Sequence, residues 1–503
     1  MASLFALFGG VLSSVAYPDN AVWIAIFPAV ALILYAITSV TTKQSILVGF
    51  IAGFGFYASQ IPWMTVYLGP VPWLALSILE ASIFALGSLT IAATWSRLKA
   101  LKRTFYSDAL AALSIASLWT AREWLACNFP YGGFPWSRVA LSQSNSPMAA
   151  WVFWGGISAL SFVIVFVCVL VMLGWKDLHP SRWHKSFTFV SLMLAITIPL
   201  ITPLDNSEQV GTLDIAAVQG NAKAGLLVVQ RQGTILQNHL DASSPLLSNT
   251  KKPQLVIWPE NAADLSPLQN SESKWQIDNF VSRVGAPLLF GTITERDGQI
   301  YNSSLLWQNQ AGVTDWYDKK RPVAFGEFVP DRSFWRMLAP SLIDLIPRGY
   351  SFGTRDGIFD AANTKVGTMI CFEVAVDDIS RDLISQKATV LVAQTNNSDF
   401  GRTNESTQQL AIARLRAIET SRAFVNISTV GTSAIIMPDG TISQQLPIYQ
   451  AAIMRENVPL RNSITPAMMF GSTFELANNF SAVAQIIFLI WLKLARRKIG
   501  GDA

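Results

Sequence analysis

Eight apolar runs constrain this chain more than any other feature. They fall at about 4–17, 21–39, 45–67, 72–95, 108–126, 149–173, 186–203 and 479–494. Most approach the roughly 20 residues a helix needs to cross the hydrocarbon core of a bilayer. In that medium every peptide group must be paired within the structure, which leaves open-ended chains only the helix. The runs are therefore predicted as eight membrane-spanning helices. The first run has no Lys or Arg ahead of it, so it reads as a span and not as a cleaved secretion signal, which carries a basic leader.

Between the seventh and eighth runs the composition changes. Residues 205–475 hold 23 Lys/Arg and 27 Asp/Glu, a net −4, whereas the rest of the chain holds 14 and 6, a net +8. The basic excess thus belongs to the apolar parts. It does not form the basic face on a soluble domain that nucleic acid would require. With the N-terminus in the cytoplasm and all eight runs spanning, 12 of those 14 basic residues face the cytoplasm, and only Arg122 and Arg138 do not. This is the asymmetry that orients membrane proteins. Both termini are then expected inside, and the polar segment outside the cytoplasmic membrane. The expected organisation is 1–204 for seven helices, 205–475 for an extracytoplasmic domain, and 476–503 for the eighth helix with a basic tail.

The outer segment alternates strand and helix signals, as in a layered α/β domain. Strands are predicted at 213–218, 254–258, 287–292, 303–307, 365–370, 389–394, 424–429 and 433–437, and helices at 225–243, 271–284, 377–386 and 406–422. Asp439-Gly440 reads as a hairpin turn.

Candidate chemistry lies at the ends of such strands. The three cysteines, Cys127, Cys168 and Cys371, form no CxxC motif, and the three histidines (His179, His184, His239) have no metal-ligand spacing. No metal or cofactor is expected, and a histidine-based nucleophile is poorly supported. Cys371 ends the apolar run 364–370 and is the sole cysteine of the outer segment, so no disulfide can form within it. A lone cysteine is as well explained by simple burial. Two other stretches change the balance: Trp258-Pro259-Glu260, and Tyr317-Asp318-Lys319-Lys320 leading to Phe325-Gly326-Glu327. Glu260 precedes Lys319 by 59 residues and Lys319 precedes Cys371 by 52, gaps that suit one or two βα units. Three neighbouring strands are expected to bring the groups to one edge. A carboxylate can take the thiol proton and return it to a leaving group. An ammonium favours thiolate and stabilises an oxyanion. The cysteine can hold the acyl group as a thioester.

The order WPE, YDK, GE, CFE resembles the nitrilase superfamily, whose Glu-Lys-Cys triad sits on an αββα sandwich. Tyr301 to Leu305 and the run Gln408 to Glu419 are also similar to it. Eight spans with the domain placed before the last resemble its membrane-bound branch, the apolipoprotein N-acyltransferases, as do Gly132 to Trp136, Ser142-Gln143 and Gln219-Gly220-Asn221. The resemblance implies Glu260 as general base, Lys319 as oxyanion stabiliser and Cys371 as nucleophile. Glu327, Glu373 and Asn302 would be supporting residues. It further implies transfer of a fatty acyl chain from a membrane phospholipid, through the Cys371 thioester, to the N-terminal amine of diacylglyceryl-cysteine in lipoproteins, by a monomer in the inner membrane. The stretch Asn396 to Gly401 lacks the Trp usual in the family.

Two outer stretches are dense in apolar residues: Phe334 to Ile346, with Trp335 and Leu338 as substrate or bilayer contacts, and Leu226-Leu227-Val228-Val229. Core packing is the alternative for both. Two rival functions remain: a membrane-tethered amidase that hydrolyses small amides with the same triad, and a transporter. For the latter, Glu80 and Asp108 lie in or near apolar runs without an evident charged partner.

Overall fold

The computed structural model describes residues 1–102, 104–176, 182–204, 208–223, 231–248, 250–346 and 349–499. Leu226 to Val229 and His179 lie outside them. The chain divides into two compact units: Met1–Thr65, Gly69–Thr202 and Pro466–Ala503 form the first, and Val66–Leu68 with Pro203–Thr465 the second.

In the first unit the helices are α1 (Ala2–Ser13), α2 (Ile26–Thr38), α3 (Gln44–Gln60), α5 (Pro70–Leu98), α6 (Phe105–Asn128), α7 (Trp151–Lys176), α8 (Arg182–Ile201) and α15 (Pro466–Ile499); the residues of the short α4 (Met64–Leu68) are divided between the two units. Each predicted run lies on one of these eight long helices. Among the described residues, four helices are long and apolar enough to cross a membrane: Pro70–Leu98, Pro147–Gly174, His184–Ile201 and Pro466–Ala495. Ala2–Ala16 and Trp23–Thr38 are shorter apolar helices. The last helix begins at Pro466, upstream of its apolar run, because its polar early turns have partners. Ser158 donates to Glu475 at 2.6 Å, and Ser117 donates to the carbonyl of Asn478 at 3.2 Å.

Neither Glu80 nor Asp108 shows a charged partner along the sequence, and the structure gives each a hydrogen-bonding one. Asp108 pairs with His184 at 2.7 Å. Glu80 is hydrogen-bonded by Tyr57, and the Tyr57 hydroxyl accepts from Arg122 at 3.1 Å. Ionisable groups within a membrane segment are tolerated when they pair internally. These partners come from other helices, so no spacing along the sequence could show them.

The second unit holds two six-stranded sheets. The first has the order β12-β1-β2-β3-β4-β5 and the second β11-β10-β9-β8-β7-β6. The strands are β1 (Gln209–Gln219), β2 (Leu255–Ile257), β3 (Leu288–Arg296), β4 (Gln299–Gln308), β5 (Gly312–Asp318), β6 (Ile358–Ala361), β7 (Thr364–Ile370), β8 (Val390–Thr395), β9 (Phe424–Ser428), β10 (Ala434–Ile436), β11 (Ile442–Gln445) and β12 (Ala452–Arg461). The helices are α9 (Thr234–Leu247), α10 (Ser271–Val284), α11 (Arg332–Leu338), α12 (Pro340–Ile343), α13 (Asp377–Ser385) and α14 (Glu405–Thr420).

Side-chain alternation explains the layering. On β1, Leu213, Ile215 and Ala217 join a core shared with Val366, Ile370, Val392 and Val425 of the other sheet. The intervening Ala216 and Val218 pack instead with Leu236, Phe280 and Val281 of α9 and α10. A strand covered on both faces must be apolar on both, hence the unbroken hydrophobic runs. The parallel strands β1-β2-β3 and β7-β8-β9 direct their carboxyl ends into loops, and the loops after β2 and β7 carry Glu260 and Cys371, whereas Lys319 follows β5.

Candidate active site

Backbone hydrogen bonds continue past each strand and fix the loops. After β2, Trp258 donates to the carbonyl of Leu289 at 2.9 Å and Gly291 donates to that of Pro259 at 3.0 Å, which holds Glu260 against β3. After β5, the Lys319 amide donates to the carbonyl of Asn302, and Gly353 donates to that of Lys319, both at 2.9 Å. Gly353 approaches so closely that a β-carbon there would lie 1.9 Å from the Asp318 carbonyl oxygen. After β7, Cys371 turns the chain from strand into a 3-10 turn, Cys371–Ala375, with φ of +53°. A left-handed conformation at a non-glycine residue costs about 1–3 kcal/mol and persists only where its surroundings over-determine it. Here they do. Fully buried Arg416 on α14 donates to the carbonyls of Val374 at 2.9 Å and Ala375 at 3.0 Å, and pairs with Asp377 and Glu419, each at 2.6 Å.

The three expected groups come together, but not from neighbouring strands of one sheet. Glu260 and Lys319 leave β2 and β5 of the first sheet, which are separated by β3 and β4. Cys371 leaves β7 of the second. The site is therefore built across the sandwich. The Lys319 ammonium lies 2.9 Å from Glu327 and 3.6 Å from Glu260. Asn302 on β4 spends both hydrogens of its Nδ2 on these carboxylates, at 2.7 Å to Glu260 and 2.9 Å to Glu327. Glu260, Lys319 and Asn302 are all buried, whereas Cys371 is partly exposed.

The electrostatics follow from that burial. Desolvation raises Glu260 to about 7, with Glu327 adding to the rise, while the Lys319 charge and the Asn302 hydrogen bond oppose it. Burial works against the charge on Lys319, but Glu327 and Glu260 more than offset it, and the ammonium stands raised. For Cys371, dense surroundings and the charge of Glu260 push the thiol well above its ordinary value, although Lys319 pulls it down. Lys319 favours the thiolate but does not outweigh desolvation. Glu260, raised to about 7 in the same cluster, can accept a proton near neutral pH.

Glu373, two residues after Cys371, bridges two loops. Its carboxylate accepts from the backbone of Ile370 at 2.8 Å, Lys320 at 2.8 Å and Arg321 at 3.0 Å, and from the Tyr317 hydroxyl at 2.8 Å. It clasps the cysteine turn to the lysine loop. Lys320 points away from Lys319's partners, to Asp356 at 2.7 Å and Asp382 at 3.1 Å. The stretch after Phe334 forms the short helices α11 and α12. Leu338 is exposed, as are Phe334 and Met337, and Trp335 packs edge-on against Phe325.

Sequence reasoning missed the cluster on the far side of the thiol. Gln409 of α14 donates to Cys371 Sγ at 3.9 Å, and Asn397 joins Gln409 to buried Glu405. Burial lifts Glu405 to about 8. The available signal was polarity in the wrong place: Glu405, Gln409, Arg416 and Glu419 all lie on a helix that is buried almost throughout.

Two facing sheets with covering helices, and carboxylate, lysine and cysteine at their strand ends, define a carbon–nitrogen hydrolase domain. Residues 214–460 match the family model of that name, Carbon-nitrogen hydrolase, and residues 9–170 match the model of the Apolipoprotein N-acyltransferase N-terminal domain. The apolipoprotein N-acyltransferase of Mycolicibacterium smegmatis is 30% identical, over 96% of this chain and 84% of that protein. That of Vibrio vulnificus is 27% identical over 93% of each. Of solved structures, an amidase from Nesterenkonia sp. is similar at a TM-score of 0.40 and 14% identity, covering 55% of this chain and 98% of that one. The chain belongs to the apolipoprotein N-acyltransferase family.

Proposed function

We propose that this chain moves a fatty acyl chain from a membrane phospholipid to the N-terminal amine of diacylglyceryl-cysteine on a lipoprotein. In the first half-reaction Glu260 takes the Cys371 proton as Sγ attacks the ester carbonyl. The developing oxyanion is met by the Lys319 ammonium. Glu260 then returns the proton to the departing lysophospholipid. In the second, the amine attacks the thioester, Glu260 takes its proton and the sulfur leaves. Glu327 and Asn302 hold Lys319 and Glu260 in place, and Glu373 fixes the two loops. All eight long helices of the first unit cross the inner membrane, with both termini cytoplasmic and residues 205–475 outside. The exposed apolar residues of α11, with Trp335 and Leu338, meet lipid. No cofactor or metal takes part, and the enzyme acts as a monomer.

The observation that carries this reading is the convergence of Glu260, Lys319 and Cys371 in a family whose named members are N-acyltransferases. The test is N-terminal acylation of a lipoprotein by Cys371→Ala and Cys371→Ser, with mass spectrometry of the resting enzyme. A palmitoyl-sized adduct on Cys371 and an inactive alanine variant are expected. Full activity without the cysteine would end the proposal.

A further inference from the structure

We propose that Gln409 is a further catalytic residue, whose side-chain amide donates to the Cys371 sulfur and stabilises it as the leaving thiolate when the thioester is broken. The inference rests on the assignment of Cys371 as nucleophile. It is carried by a directional chain of hydrogen bonds that ends on the sulfur. The chain begins at the backbone amide of Gly431, which can only donate, and does so to Ser428 Oγ at 2.9 Å. The Ser428 hydroxyl is thereby left to donate onward, to Asn397 Oδ1 at 2.5 Å. With its oxygen so engaged, Asn397 presents Nδ2 to Gln409 Oε1 at 2.9 Å and to Glu405 at 2.7 Å. The Gln409 oxygen is then occupied, and its nitrogen faces Cys371 Sγ at 3.9 Å.

Every amide in this chain has its orientation fixed by the one before, back to a backbone group that cannot reverse. The elements are rigid: Asn397 follows β8, Ser428 ends β9, and Gln409 lies on α14. Asn397 and Gln409 are buried. A β-carbon at residue 431 would lie 2.4 Å from Asn397 Oδ1, so the first link needs glycine.

The chemistry needs such a donor. Lys319 and Glu260 serve the carbonyl oxygen and the travelling proton, yet neither is hydrogen-bonded to the sulfur among the described contacts. In the second half-reaction the amine nitrogen bonds to the acyl carbon, the C–S bond breaks and its electron pair passes to Sγ. The proton released by the amine goes to Glu260 and then to sulfur. A donor held on Sγ lowers the energy of the departing thiolate at the moment the pair arrives, and thiols that are better stabilised leave faster. The 3.9 Å separation suits a resting thiol, since catalytic hydrogen bonds commonly tighten only as charge develops.

The test uses the full-length enzyme in detergent micelles and the variants Gln409→Met and Gln409→His. Methionine keeps the length without the donor, and histidine restores an N–H. Site-resolved mass spectrometry follows iodoacetamide alkylation of Cys371 against pH, and single-turnover assays separate acylation from aminolysis of the acyl-enzyme. In Gln409→Met the alkylation midpoint is expected to rise by about one pH unit, equivalent to about tenfold. Acyl-enzyme should accumulate, with aminolysis slowed about tenfold more than acylation, and Gln409→His should recover part of both. An unmoved alkylation midpoint together with an unchanged ratio of the two rates overturns the proposal. If Gln409→Met does not fold, Asn397→Asp, which takes away the donor that orients Gln409, is held to the same two readouts. Absence of any Cys371 adduct in the unsubstituted enzyme would instead refute the assignment of the nucleophile.

Discussion

Asn302→Leu isolates how Glu260 is tuned. Asn302 gives Glu260 a 2.7 Å hydrogen bond that favours the charged carboxylate, and this bond is one of the influences opposing the rise caused by burial. A hydrogen bond to a charged group is worth about 1.5–3 kcal/mol, or about one to two pH units at roughly 1.4 kcal/mol per unit. Its loss moves Glu260 from about 7 to about 8–9 by this arithmetic. At pH 7 the ionised fraction falls from about a half to between about a tenth and a hundredth. The Cys371 thiol is raised well above its ordinary value and the Lys319 ammonium is also raised, so acylation across this window follows Glu260. Single-turnover acylation from phospholipid in mixed micelles should therefore drop about 5- to 50-fold at pH 7 and recover towards the parent rate above pH 9. The parent profile should rise through pH 7. A variant slowed by the same factor at every pH would refute the reasoning, because the role of Asn302 would then be steric and not electrostatic.

Two further outcomes follow from burial and close approach. His239 is fully buried, with Nδ1 against the Ile235 carbonyl at 2.8 Å and Nε2 unpartnered, and burial lowers it to about 4. Below its unfolded value near 6.5 the unfolded chain binds the extra proton, so this stability is present above about pH 6.5 and is lost as pH falls towards 4. The loss amounts to roughly 3 kcal/mol, and urea midpoints measured between pH 7 and 4 should fall less steeply in His239→Leu than in the parent. Gly353→Ala sets a β-carbon 1.9 Å from the Asp318 carbonyl oxygen. The backbone beside Lys319 must move, at a cost of about 1–3 kcal/mol, so activity should fall with the melting temperature, whereas an unchanged melting temperature would show that the loop gives way freely.

The strands that sequence patterning found and those it missed divide on a physical line. The eight predicted strands are the interior ones, β1–β4 and β7–β10. The four given no range there, β5, β6, β11 and β12, are the edges of the two sheets, and of these β11 completes the hairpin expected at Asp439-Gly440. Edge strands carry charge and polarity that discourage pairing with other chains, as in Gly312–Asp318 and Ala452–Arg461, so they show no continuous apolar run. The helices 271–284, 377–386 and 406–422 fall within a residue or two of α10, α13 and α14. The site divides similarly. Glu260, Lys319 and Cys371 were legible because each ends or follows a strand in a short motif. Gln409 and Asn397 were not, because their meaning lies in a contact with sulfur that spans 38 residues and depends on which way two amides face.

By itself, the sequence determined the apolar runs, the interior strands, the charge asymmetry and the identities of the groups proposed to react. These are local quantities, set by side-chain chemistry and by periods of two and 3.6 residues. Only the tertiary structure decided that the acid and lysine come from one sheet and the cysteine from the other. It alone showed that Glu373 clasps two loops, and that burial pushes up both the Cys371 thiol and the Glu260 carboxyl. Those outcomes depend on desolvation and on distances across the sandwich. Both are properties of the packed whole, and no segment of the chain carries them alone.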